Sequence, residues 1–337
     1  MNMPQLILCT DLDSVGQDAR RLAREAAAGR LVRIRRGAYA ARTQWDVLTT
    51  REKYGAKATA CNRTRDAAPV FALSTAAVMW GLWLVGTPRD LNLRTQFSGG
   101  GRSRPGVRSH LLPLDDQPVA LGEFLVMPKA NTAVELAVRL PFAQAVAVVD
   151  SCRRPPGKDS ENRDLDPALG PRWAEESLLG APATVDELHS LAERLPSAAK
   201  IRRALRVIEF SSDLAESAGE SISRANMHIL GFPAPELQHK FDLPDGTWAR
   251  TDFHWAEHGL VGEFDGKGKY MRADWGGGLT PAERVMKEKD REDAIRALGL
   301  GFVRWDWKAM MNLPTLAGKL GRAGLPQATR RRRTSKE

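Results

Sequence analysis

Cysteine is scarce in this chain of 337 residues: Cys9, Cys61 and Cys152, odd in number, scattered, and without a C-x-x-C pair. That argues against zinc and a disulfide framework, and it fits a reducing cytoplasm. Long apolar runs are missing too. The longest, Ala76 to Val85, is too short to cross a bilayer. Met1 to Thr10 carry no basic stretch, and their apolar run is too short for a signal peptide. A cytoplasmic protein with no membrane partner is expected. There is no internal repeat. What is present is ordinary globular material, 42% hydrophobic, enough for more than one core at this length. The net charge of +9 is unevenly spread. Residues 1–110 carry 18 Lys/Arg against 8 Asp/Glu, a net of +10, and the remainder 32 against 33, a net of −1. By charge, the basic part is a nucleic-acid footprint; a generically basic proteome is the other reading.

Gln17 to Ala28 reads as a short helix with Asp13 or Ser14 as N-cap, and it carries Arg20, Arg21 and Arg24 on one side. Gly29 ends it. Leu31 to Ala40 then alternates apolar and basic residues around Gly37, a hairpin with Arg33, Arg35 and Arg36 along its edge. A basic helix followed by a basic hairpin is how a winged helix meets DNA, helix to groove and wing to phosphate. A solvated hairpin on a small α+β unit is the plainer reading. Phe71 to Leu84 is expected as a buried helix. Leu91–Phe97, Val107–Leu112 and Phe124–Met127 are expected as strands, and Thr132–Ser151 as two helices broken near Pro141. The polar stretch after Cys152 reads as a linker. Thr184 and Ala198 open further helices. The C-terminal domain begins near Ser211 with the order helix, strand, strand, strand, helix, strand. Arg330 to Arg333 form a basic tail.

The most informative stretch is Arg250 to Asp265. It reads as a hairpin closed by Ala256-Glu257-His258-Gly259, which sets Trp255 opposite Leu260 and Asp252 opposite Glu263. Period-two alternation then puts Asp252, Glu263 and Asp265 on one face and Phe253, Trp255, Leu260 and Phe264 on the other. Like charges facing each other are destabilising. Oxygen-only ligands suit Mg²⁺ or Mn²⁺, with a phosphodiester as the usual substrate. The alternative is a solvated outer face with Arg250 neutralising Asp265. A register slip by one residue would undo the arrangement. Glu220, in a capping box with Ser217, is a fourth candidate acid, with Arg224 as its plainer ion-pair partner. His254-Trp255-Ala256-Glu257-His258 spells a zinc-protease pattern, but that pattern needs a helix and this stretch alternates like a strand. His254 is left as a proton shuttle or a plain surface residue. Lys289 and Arg291 are candidate phosphate contacts, or members of a salt-bridged helix face.

Gly262 to Tyr270, Glu288 to Asp293 and Val303-Arg304-Trp305 resemble the C-terminal domain of AbiEi-type antitoxin-like proteins of abortive-infection toxin–antitoxin systems. That domain is similar to the very-short-patch-repair group of PD-(D/E)XK endonucleases. Gly29 to Tyr39 and Leu73 to Ala77 resemble the antitoxins' N-terminal half. The resemblance covers roughly residues 20–150 and 200–310. It implies a multidomain α+β/α/β protein. The expected parts are a winged-helix-like DNA-binding unit at 1–70, an antitoxin-like α+β segment at 71–151, a linker and helices at 152–210, a restriction-endonuclease-like α/β domain at 211–320 and a basic tail at 321–337. Carried over, Asp252 and Glu263 are the metal-binding acids, Asp265 stands at the place of the nuclease lysine, and Lys269 stands where the repair group has a histidine. With Glu220 these form the expected catalytic set. The implied function is a DNA-binding transcriptional regulator paired with a nucleotidyltransferase-like toxin, or, alternatively, a Mg²⁺- or Mn²⁺-dependent DNA endonuclease.

Overall fold

The computed structural model describes residues 4–14, 20–97, 105–155, 181–266 and 280–328. They form two compact units. One holds the described residues within Met1–Arg139 and Leu165–Ile208, the other those within Leu140–Asp164 and Glu209–Glu337.

The first unit opens with β1 (Ile7–Leu8), α1 (Cys9–Ser14), α2 (Arg20–Ala27), β2 (Leu31–Arg35) and β3 (Ala38–Ala41). Asp13 and Ser14 lie in α1, and residues 15–19, where the expected helix begins, are outside the described residues. The strands make an antiparallel sheet in the order β1-β3-β2. Gly37, at φ +81°, supplies the left-handed residue of the turn. Leu8, Ala38 and Ala60 form a small core with Leu6 and Ile34 against it. Ala60 lies on α4 (Thr50–Arg63), which follows α3 (Arg42–Asp46). A reciprocal capping box, Thr49 with Glu52, starts α4.

A five-stranded sheet follows, in the order β6 (Val107–His110), β5 (Leu91–Arg94), β4 (Val70–Phe71), β8 (Phe124–Val126), β7 (Val119–Leu121). Phe71 is a strand residue paired with Leu93 and Val126, not the start of a helix to Leu84. The helix, α5, spans only Leu73–Trp80, because Gly81 at φ +72° terminates it. Inside, Trp80 Nε1 donates to Met127 O at 2.8 Å, and the Tyr54 and Thr75 hydroxyls meet at 2.6 Å. These bonds satisfy polar atoms that burial would otherwise leave costly. α6 (Lys129–Ala137) and α8 (Val185–Glu193) pack together in this unit. α9 runs Ala198–Phe210, as the sequence reading expected.

The second unit contains α7 (Phe142–Arg153), α10 (Ala218–Leu230), β9 (Glu236–Asp242), β10 (Trp248–Trp255), β11 (Leu260–Asp265), α11 (Pro281–Ala297), β12 (Gly301–Asp306), α12 (Trp307–Met311) and α13 (Leu313–Arg322). The order from α10 to β12 is the one read from the sequence; α12 and α13 were not read. The sheet runs β12-β11-β10-β9, with β9, β10 and β11 antiparallel and β12 parallel to β11. The hairpin register is the expected one, Trp255 on Leu260 and Phe253 on Gly262. One face buries Phe253, Trp255, Phe264 and Trp305 against α10, where Ser223 Oγ accepts from Trp305 Nε1 at 2.8 Å. Full burial of one such ring stabilises by roughly 1.5–3 kcal/mol. Gly262 is required there: a Cβ would come within 2.8 Å of the Trp305 ring. The other face packs Val261 with Ala249 and with Ile295 of α11. α10 is also tied to α7 by the buried pair Arg224–Asp150 at 3.0 Å. Arg224 is thus not the partner of Glu220.

Candidate functional site

On α2, Leu22 is buried while Arg20, Arg21 and Arg24 are exposed. The helix therefore turns its apolar anchor inward and three guanidinium groups outward. On the β2–β3 hairpin, Arg33 and Arg36 are exposed and Arg35 is half-buried. The pairing shifts register between Arg33 and Arg35, and Ile34 packs into the small core. All six expected arginines thus lie on two consecutive elements of one unit.

The expected acidic set lies in the second unit, on α10, β10 and β11. Glu220 is buried at the start of α10. Its Oε2 accepts from Glu216 N and from Gln238 Nε2, both at 2.8 Å, and its Oε1 lies 2.8 Å from Ser217 Oγ. Burial, followed by repulsion from the Asp252 carboxylate, pushes its carboxyl up to about 8. Asp252 Oδ2 accepts from Phe264 N at 2.8 Å, so this acid is bound to the neighbouring strand's backbone. Its charge acts on Glu263 as well as on Glu220.

Glu263 is the centre of a different arrangement. Its Oε1 takes a bond from Arg291 at 2.6 Å and its Oε2 one from Arg304 at 2.8 Å. Glu288 completes the cluster, accepting from Arg291 at 2.6 and 3.0 Å and bonding Arg304. Register explains why Arg304 is there: β12 runs parallel to β11 with Arg304 beside Glu263, so both side chains share the α11 face. Burial raises the Glu263 carboxyl, against the pull of Arg291. Burial also works to raise Glu288, but the bonds from Arg291 and Arg304 outweigh it and hold that carboxyl low. Arg291 has one more bond, to Arg250 O at 2.9 Å. It is committed to the fold, and of the two candidate phosphate contacts on α11 it is Lys289 that is exposed.

Other expectations change. Arg250 pairs with Glu216 at 2.8 Å, where the sequence reading offered it to Asp265. Asp265 instead lines a cleft of about 600 Å³ with Arg304, Asp306, Lys308 and Lys319. His254 is buried, not a surface residue. Lys269 lies outside the described residues. Among the described residues, Glu220, Asp252, Glu263 and Asp265 do not bring three ligand atoms within 4.8 Å of one another. Arg304 and Glu288 were missed as partners of Glu263, although an arginine inside the strand Phe302-Val303-Arg304-Trp305 is itself a sign of a buried acid nearby.

No protein-family model matches this chain. It is similar to the uncharacterized protein Rv2248 of Mycobacterium tuberculosis strain H37Rv and to the uncharacterized protein MT2308 of the Oshkosh strain. Each is 27% identical over 236 residues, which cover 69% of this chain and 73% of the relative. Fold and site define a mixed α/β protein of two compact units. No described helix is long and apolar enough to cross a membrane.

Proposed function

We propose that this protein is a DNA-binding, antitoxin-like transcriptional regulator whose second unit is a restriction-endonuclease-like scaffold. One observation carries the reading: Arg20, Arg21, Arg24, Arg33 and Arg36 are exposed on a helix and the hairpin that follows it. An arginine helix beside an arginine turn suits phosphate contacts on either side of a groove. The strand order and directions of the second unit, with α10 and α11 on opposite faces, support the nuclease-like scaffold. The resemblance to AbiEi-type antitoxins extends the proposal to a nucleotidyltransferase-like toxin partner and to work in the cytoplasm. The test is DNA affinity against salt for wild type and for Arg33→Ala/Arg35→Ala/Arg36→Ala. Each phosphate that the altered hairpin no longer neutralises should flatten the log–log slope by about 0.9. An unchanged slope removes the hairpin from the interface.

A second reading, a Mg²⁺- or Mn²⁺-dependent DNA endonuclease, draws on the repulsion that Asp252 exerts on both Glu220 and Glu263. As arranged, these residues do not fit the ion, because both oxygens of Glu263 are taken by arginines. The reading requires that pair to release Glu263. Plasmid cleavage with Mn²⁺ that disappears in Asp252→Asn would put this reading first.

A further inference from the structure

The second unit carries another cluster, on the paired strands β9 and β10. We propose that Glu236, His239 and His254 form a binding site for a first-row transition-metal dication of the Zn²⁺ type. Each offers one ligand atom, and the three atoms lie within 4.8 Å of one another. Glu236 Oε1 is 2.8 Å from His239 Nδ1, and Glu236 Oε2 is 3.5 Å from His254 Nδ1. Two imidazoles and one carboxylate are the donor set of catalytic and open zinc sites, with ligand distances near 2.0–2.2 Å. The nitrogen donors select against Mg²⁺ and Ca²⁺.

Two further observations separate this cluster from a chance surface grouping. His254 is only 7% exposed, and its buried Nδ1 makes no hydrogen bond of good geometry, Glu236 Oε2 standing 3.5 Å off. A buried ring nitrogen left unbonded costs free energy, and a metal ion would satisfy it. The second is the backbone. Residues three apart on a strand point to opposite faces, so Glu236 and His239 should not meet. They meet because Gln238 adopts φ +54°, a left-handed conformation that a non-glycine residue takes at a cost. The pairing of β9 with β10 breaks at this residue, between Thr251–His239 and Phe253–Leu237. The register is the same on both sides of Gln238, and this local turn brings the His239 ring to 4.2 Å from that of His254. Phe241 packs edge-on against both rings, 4.4 and 5.0 Å away, fixing their orientation as a metal ligand needs. β9 is the edge strand of its sheet, so an ion here would pin the edge to β10 and keep a coordination position open to solvent on the side of Glu236, which is exposed.

The experiment uses the full chain, freed of metal by chelator and titrated with Zn²⁺ alone, with Co²⁺ as a spectroscopic probe. Uptake of about one ion per chain, a rise in melting temperature and a Co²⁺ absorption spectrum of nitrogen–oxygen ligation are the expected results. His239→Ala and Glu236→Gln alter side chains that are not fully buried, so both should fold. Each should weaken Zn²⁺ at least as much as removal of an outer-shell partner does, roughly tenfold to a hundredfold. His254→Gln should do the same if it folds. His258→Ala, the other histidine of the H-x-x-E-H stretch, should leave affinity unchanged. Failure of wild type to take up Zn²⁺ overturns the proposal. So does a folded His239→Ala that binds with wild-type affinity.

Discussion

Gly219 of α10 lies flat against the ring of Phe264 on β11: a Cβ at position 219 would fall inside the ring's van der Waals surface. The helix that presents Glu220 can therefore reach the sheet only because the residue before that glutamate has no side chain. Gly219→Ala should destabilise the second unit by about 1–3 kcal/mol, the usual range for overpacking, although alanine is the better helix former. Urea unfolding followed by tryptophan fluorescence reports it directly, since Trp255 and Trp305 share that core. A variant as stable as wild type would mean that helix and strand separate easily.

Glu263 should act as a structural acid. Removing its charge leaves Arg291 and Arg304 partly buried and sharing Glu288, with Glu292 3.5 Å from Arg304. Breaking a buried pair costs on the order of 3–5 kcal/mol, and partial exposure of both arginines places Glu263→Gln at the low end, about 3 kcal/mol. A double-mutant cycle with Arg291→Gln should show a favourable coupling. Additive effects would show that the geometry carries no net interaction.

Stability should fall as pH rises across neutrality because of Glu220. Its carboxyl titrates near 8 in the folded protein and near the ordinary 4.5 when unfolded. Between those values the folded state holds a proton that the unfolded state has released, so the unfolded state binds fewer protons and stability drops with pH. The contribution is fully present below about 4.5 and gone above about 8. Glu288, held low, works the opposite way and loses its contribution only as acid protonates it. Glu220→Gln keeps the shape of the side chain and should flatten the decline between pH 5 and 8. Parallel melting curves for the two proteins across that window would contradict the assignment.

Millimolar Mg²⁺, which the nitrogen donors of the His239–His254 cluster select against, should leave the melting temperature of wild type unchanged, because arginine already occupies both oxygens of Glu263. Occupancy at 100-fold over the dissociation constant would add about 2.7 kcal/mol, an effect that calorimetry detects easily. If such a rise occurs and Asp252→Asn removes it, the endonuclease reading takes precedence.

The hairpin was legible because its signals are local. Gly259 and the alternation on either side fix the pairing of Trp255 with Leu260, and Thr280, Glu283 and Pro281 mark the start of α11. Gly231 marks the end of α10 in the same way. The partners of the charged residues were not legible. Helical spacing assigns Arg224 to Glu220, but it pairs with Asp150, 74 residues away, where both are desolvated. Arg291 keeps the helical neighbour that spacing offers, Glu288, and adds Glu263, 28 residues away, which no local signal announces. The turn of His239 toward His254 has no sequence mark at all, since the left-handed residue is a glutamine and not a glycine. α4 does have one, for Thr49-x-x-Glu52 announces it as clearly as Thr280 announces α11.

The arginine pair around Glu263 has a further meaning. Two guanidinium groups bring to the Glu263 carboxylate the positive charge that a buried acid would otherwise lack. The protein carries its own counter-ion, tethered to α11 and β12 and unable to diffuse away. Glu263 thus draws its opposite charge from within its own unit, and burial still lifts its carboxyl against that pull.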